Sequence, residues 1–249
     1  MDIVYTIWLR NIKRYLRSKS RIIGSLGMPL FLLLVLGFGL NSVVNIPGMG
    51  KGYIGFILPG IISMTVLFAS IFSGIQIIWD KQFGFLKETL VAPVSRTEIM
   101  IGQTLGGATT AFIQGVLILI FSLVIGINTA SLGGFLIAFL FMILIGLSFT
   151  ALGIAIASRM EDMHGFQLIM NFVIFPIFGL SGAIFPLDSL PSWLKSITML
   201  NPLTYGVEGI RYGLLGTSNL NPLLSLAALG GFTVIIVIIG SYLFRKIKL

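Results

Sequence analysis

Six stretches of this chain carry no charged residue and are long enough to cross a bilayer: 22–44, 54–79, 99–127, 135–158, 165–184 and 223–244. A helix rising 1.5 Å per residue needs about 20 apolar residues to cross roughly 30 Å of hydrocarbon. Each stretch is continuously apolar and does not alternate, a pattern that selects helices over the strands of a closed barrel. The pattern therefore predicts six spans. Between the fourth and fifth, only residues 159–164 are left to form a tight turn.

Three further segments have patterns of their own. In 1–21, Val4, Tyr5, Trp8, Leu9, Ile12, Tyr15 and Leu16 fall on one arc of an ideal helix. Arg10, Lys13, Arg14, Arg17 and Arg21 fall on the opposite arc, which predicts a helix lying along the membrane surface. In 80–98, Phe83, Leu86 and Leu90 recur at helical spacing with Phe85 beside them, Pro93 ends the run, and Ser95 and Glu98 have the spacing of a capping box before the third span. Segment 185–222 is punctuated by Pro186, Pro191 and Pro202 and reads as short external helices, an outer cap that is re-entrant at most. Glu208 and Arg211 in it are spaced to form a local ion pair.

Composition agrees with a lipid-solvated surface. Of the 249 residues, 56% are hydrophobic and 10% charged, against about 25% charged in soluble domains. The expected fold is thus all-α, one membrane domain over 1–249 with no soluble domain. Thirteen of the sixteen Lys and Arg residues fall at the N-terminus, in 80–98, at Arg159 and in the tail, while Lys51, Lys195 and Arg211 fall on the other side. That bias puts both ends in the cytoplasm, an even number of spans permitting it. The net charge of +8 is parcelled between apolar runs and is not interleaved with aromatics, so anionic headgroups, not nucleic acid, are the expected partner.

The chemistry missing from the sequence narrows function further. The predicted spans contain no Asp, Glu, Lys, Arg or His, which argues against a proton-coupled carrier. There is no cysteine, and the one histidine, His164, has no HExxH companion, so neither a metal site nor a catalytic residue is expected. Glu161, Asp162 and His164 form a polar turn whose expected duty is capping a helix. Gly50-Lys51 resembles the end of a P-loop, but Asn45 and Gly52 stand where a Gly and a Ser or Thr are needed. Energy for uphill transport would then have to come from another polypeptide. Gly102 and Gly106 form a GxxxG pair in the third span, which close helix packing explains.

The run Phe83-Gly84-Phe85-Leu86-Lys87-Glu88, continued by Val91-Ala92-Pro93-Val94-Ser95-Arg96, resembles the coupling loop of ABC-2 type export permeases, most closely those of the daunorubicin-resistance kind. So does Leu180-Ser181-Gly182-Ala183-Ile184-Phe185-Pro186-Leu187-Asp188, with Asn201-Pro202-Leu203-Thr204-Tyr205 and Arg211 after it, which is similar to the exit of the family's fifth span and its external helices.

The resemblance implies the membrane subunit of an exporter of a hydrophobic or amphipathic compound, working as a homodimer with a separate ATP-binding-cassette ATPase. ATP and Mg would bind that partner, and this chain would carry no cofactor. Phe83, Phe85, Leu86, Glu88 and Leu90 would form the helix that couples to the ATPase. The family's cavity is lined by spans two and five, which makes Phe68, Phe72, Gln76, Gln167, Asn171, Phe175 and Phe178 the candidate substrate path, the last four sharing one face of an ideal helix. Export of a polysaccharide or lipid-linked glycan is the alternative within the family. A sodium-coupled carrier or a non-transporting scaffold is the alternative outside it.

Overall fold

The computed structural model describes residues 2–41, 52–84, 94–126 and 131–247, and the regular elements among them are all helical. In chain order they are α1 (Asp2–Arg17), α2 (Lys19–Asn41), α3 (Gly52–Ser73), α4 (Ile75–Gln82), α5 (Arg96–Val124), α6 (Leu132–Ala157), α7 (Met163–Ile169), α8 (Phe175–Gly179), α9 (Ser192–Leu200), α10 (Pro202–Leu215) and α11 (Pro222–Arg245). A π-helical turn at Met170–Ile174 joins α7 to α8, and a 3-10 turn at Leu187–Ser189 precedes α9. Five helical stretches among the described residues are long and apolar enough to cross a membrane: α2, α3 with α4, α5, α6 and α11.

The fifth expected span, 165–184, differs from its prediction. Apolar helix runs only from Met163 to Gly179 and stops short of residue 184. Asp162 caps its start by accepting from Gly165 N at 2.7 Å. Within it, Pro176 has no N–H to give the carbonyl four residues back, at Phe172, and the ladder is disturbed at the π turn just before it. Beyond Gly179 the backbone is irregular, and side chains satisfy carbonyls that a helix would otherwise satisfy. Asn201 Nδ2 donates to Ile177 O at 2.6 Å, Arg211 Nη2 to Gly182 O at 2.8 Å, and Tyr53 Oη to Ile184 O at 3.4 Å. Gly182 turns with φ +72°, a conformation an L side chain rarely adopts.

α3 is the axis of the bundle. From Gly55 to Leu67 every residue is buried, against α2, α5, α6 and α10. At Gly60 a Cβ would lie 2.2 Å from the Ala183 carbonyl oxygen, so the irregular turn after α8 rests directly on this helix. By contrast, α2 buries only Pro29, Leu33 and Gly37 along one edge.

Segment 185–222 is superficial only in part: residues 185–200 are largely exposed, and the helix that follows is not. Its α10 is buried almost throughout and packs on α3, α6 and α11. Glu208 and Arg211 form their ion pair in a fully buried place, with the guanidinium carbon 4.3 Å from the centre of the Phe56 ring. Hydropathy alone hid this, because the flanking prolines and the two charges lower the local average while Gly182 O, Asn219 N and the Phe56 ring compensate most of the pair, Arg211 Nε alone lacking a partner among the described residues.

α1 forms as expected, but its buried face is rotated from the predicted arc. Ile7 and Tyr15 are buried, while Tyr5 and Leu16 are exposed. The helix packs on α5, where Gly102 and Gly106 face it: a Cβ at Gly102 would meet Ile7 Cβ at 2.9 Å, and one at Gly106 would meet Asn11 Nδ2 at 2.5 Å. Asn11 Nδ2 donates to Gln103 Oε1 at 2.7 Å and Trp8 Nε1 to Thr109 Oγ1 at 3.0 Å. The GxxxG pair thus seats the N-terminal helix and not another long span.

Candidate substrate path and coupling surface

The aromatic candidates converge. Phe68 of α3 lies 4.9 Å from Phe175 and 6.0 Å from Phe178, both of α8, and 6.4 Å from Phe72 one turn along its own helix. These separations suit edge and tilted ring contacts, each worth about 0.5–1.5 kcal/mol beyond the area buried. Phe178 is buried and Phe175 half-exposed. All four rings border a partly open cavity of about 560 Å³, lined also by Met28, Pro29 and Leu32 of α2 and by Thr110 and Gln114 of α5. That volume lies in the range of pockets that hold drug-sized ligands.

The polar candidates do not join them. Gln167 and Asn171 are exposed and face each other, with Gln167 Nε2 3.5 Å from Asn171 Oδ1. The ideal-helix face expected for them with Phe175 and Phe178 ignores the intervening π turn, whose extra residue rotates Phe175 and Phe178 by about 100° from their ideal-helix positions. Gln76 lines a separate, smaller polar space with Asn11, Arg14, Tyr15, Ser73 and Gln103. Its amide donates to Asp80 Oδ1 at 2.6 Å.

One end of the cavity holds residues outside the predicted set. Tyr15 of α1, Arg21 and Ser25 of α2 and Gln114 of α5 border it. Tyr15 is 3% exposed, and its hydroxyl has no hydrogen-bond partner among the described residues although it lies near Ser25 and Gln114. Burial pushes the Tyr15 phenol up, so at neutral pH it keeps its proton and remains a donor. Burial likewise pulls Arg14 below its usual range; Arg10 pulls the same way and Asp80 opposes. Helical period and charge bias mark these residues only as a surface helix and as topological signals.

On the predicted coupling segment, Phe83 is described: it ends α4 and is 84% exposed. Phe85, Leu86, Glu88 and Leu90 lie outside the described residues. Both flanks of the segment are tied to the bundle. Arg10 pairs with buried Asp80 at 3.5 Å, Lys81 Nζ lies 3.5 Å from Met160 O, and Gln82 Nε2 donates to Glu161 O at 3.2 Å. At the other flank Ser95 and Glu98 make the reciprocal capping box, Arg96 Nη1 donates to the carbonyls of Arg245 and Ile247 at 2.6 and 3.1 Å, and Arg245 Nε to Thr97 Oγ1 at 2.9 Å. Charge counting uses Arg96 and Arg245 only for orientation and gives no sign of these bonds.

With an all-helical, strongly apolar bundle established, comparison with known proteins decides the family. The family model for the ABC-2 type transporter matches residues 3–215. This chain belongs to that family. It is 31% identical over 198 residues to the putative transport permease ycf38 of Cyanophora paradoxa, covering 79% of this chain and 68% of that protein. Against its counterpart in Porphyra purpurea the figures are 34% over 184 residues, 74% and 63%, so the chain spans about two thirds of the length of these relatives. Nodulation protein J of Rhizobium leguminosarum bv. viciae is 28% identical over 248 residues, 96% of this chain and 93% of that one. The inner membrane transport permease YadH of Escherichia coli is 27% identical over 218 residues, 86% and 83%. Together with the apolar helices, these relatives support a membrane location for the ABC-2 permease.

Proposed function

We propose that this ABC-2 permease is the membrane subunit of an exporter that carries a hydrophobic or amphipathic compound out of the cytoplasm, powered by a separate ATP-binding-cassette ATPase. The observation that carries the substrate class is the cavity of about 560 Å³ walled by Phe68, Phe72, Phe175 and Phe178. An aromatic and aliphatic wall with few polar groups favours an apolar body over a hydrated one. Membership in a transporter family speaks against a sodium-coupled carrier and against a non-transporting scaffold.

In this reading two copies and two ATPase subunits form the working exporter, ATP and Mg bind the ATPase, and this chain binds no cofactor. Both termini are cytoplasmic, α1 lies at the cytoplasmic interface, and Met163–Gly179 with the turn beyond it makes the fifth of six crossings. The exposed ring of Phe83 and the tethering of both flanks of 80–98 support that segment as the ATPase contact.

Reconstitution tests the proposal. The chain, co-expressed with its ATP-binding-cassette ATPase partner, is expected to drive ATP-dependent uptake of a lipophilic dye into inside-out vesicles. Phe68→Ala, which removes the ring common to the aromatic contacts, should lower the rate severalfold with normal insertion. No ATP-dependent uptake of any amphipathic probe, with the two subunits assembled, would overturn it.

A further inference from the structure

We propose that the cavity ends in an anion-selective head site, so that its ligand is an amphiphile with an anionic head held by Tyr15 and Arg21 and an apolar body lying among Met28, Leu32, Phe68 and Phe175. The proposal rests on reading this cavity as the ligand path and adds the chemical class of the head.

Two observations carry it. The first is Tyr15, which lines the cavity with a side chain 3% exposed and whose hydroxyl, set beside Ser25 and Gln114, makes no well-formed hydrogen bond among the described residues. Other hydroxyls there make no such demand: Thr65 donates to Ile61 O at 2.8 Å, Thr110 to Gly107 O at 2.9 Å and Ser25 to Ile22 O at 2.9 Å. A buried donor left unmatched is costly, and an acceptor on a ligand removes that cost.

The second observation is the sign of the charge. Among the described residues Arg21 is the one charged side chain on the cavity wall, and no carboxylate lies there. On the other side of the elbow between α1 and α2, a shallow cleft of about 920 Å³ gathers Lys13, Arg14, Arg17 and Lys19. Asp80, the acidic group beside the neighbouring polar space, is already engaged by Gln76 and Arg10. The field at the head end is therefore positive, which draws anions and repels cations. At the other end, Met28 and Met64 supply adaptable thioethers beside the phenylalanine rings, a lining that accepts varied apolar bodies. A cationic amphiphile would leave the phenol unmatched and meet Arg21; an uncharged one would leave Arg21 without a counter-ion.

The test uses the full chain in nanodiscs of phosphatidylcholine, with two probes that share a tail and differ in head charge: dodecyl phosphate and dodecyltrimethylammonium. Direct binding should be saturable and at least tenfold tighter for the phosphate. Tyr15→Phe, which keeps the ring and its packing, should weaken the phosphate roughly tenfold, as expected for a lost hydrogen bond to a charged group, and leave the ammonium probe unchanged. Arg21→Gln should abolish the preference between heads. Phe68→Ala should weaken both probes alike. Equal binding of the two heads, or undiminished phosphate binding in Tyr15→Phe, would overturn the head site and leave that phenol satisfied by water alone. These measurements need no ATPase. Head-blind binding with intact ATP-driven export sinks this inference alone, and head-selective binding without export sinks the exporter reading alone.

Discussion

Arg211 donates through Nη2 to the carbonyl oxygen of Gly182, 2.8 Å away and 29 residues earlier in the chain. That bond joins the most buried charged helix of the bundle to the turn where the fifth apolar segment loses its helical form. Glu208 balances the guanidinium and also accepts from Asn219 N, so one carboxylate and one guanidinium hold three separate backbone segments together.

Removing one member of this pair leaves the other charged and buried. Arg211→Met and Glu208→Gln are each expected to destabilise strongly, on the order of 3–5 kcal/mol for a buried pair broken from one side. The double variant should lose clearly less than the two single losses combined, since no lone charge remains. Thermal unfolding in detergent, followed by fluorescence-detected size exclusion, measures this. Additive losses would show that the two side chains act independently.

Gly106→Val places a side chain where Asn11 already sits, 2.5 Å from the nearest atom. Overpacking of this kind costs about 1–3 kcal/mol, and α1 should lift from α5. The chain contains no cysteine, so Ile7→Cys alone reports on the contact. That cysteine should react slowly with a thiol reagent in the parent and quickly once Gly106→Val is added. Equal rates would mean that α1 stays seated.

For coupling, Leu86→Asp should leave insertion intact but reduce co-purification of the ATPase, because a charge buried without a partner in a protein groove costs several kcal/mol. Glu88→Ala should do the same more mildly. Full ATPase retention and undiminished export in Leu86→Asp would remove 80–98 from the interface.

Orientation is checked with two single cysteines at exposed positions, Lys195→Cys and Phe83→Cys. In intact cells an impermeant maleimide should label the first and spare the second. The reverse pattern would invert the topology drawn from the basic residues.

Element type is readable from hydropathy because a long uncharged run has few alternatives to helix. What hydropathy cannot carry is a partner's identity. Gly102 and Gly106 announce close packing, yet only the fold shows that α1, not a span, packs there. Glu208 and Arg211 announce a pair, but their burial depends on Phe56 and Gly182, remote in sequence. The four phenylalanines stand out by type and come together in the fold. Ideal geometry joins Gln167 and Asn171 to them, and the π turn before Pro176 breaks that face. Tyr15 reads as one more apolar position on a helix, since an unmatched hydroxyl is a property of its surroundings.

The tethers flanking 80–98 amount to a load path. A push on the middle of this segment reaches α1 through Arg10 and Asp80, the turn before α7 through Lys81 and Gln82, and the end of α11 through Arg96. Force entering at one place is thereby shared among helices far apart in sequence. Lengthening the segment by a few flexible residues on either side of Leu86 would leave every anchor in place and still decouple them, as slack does in a cable.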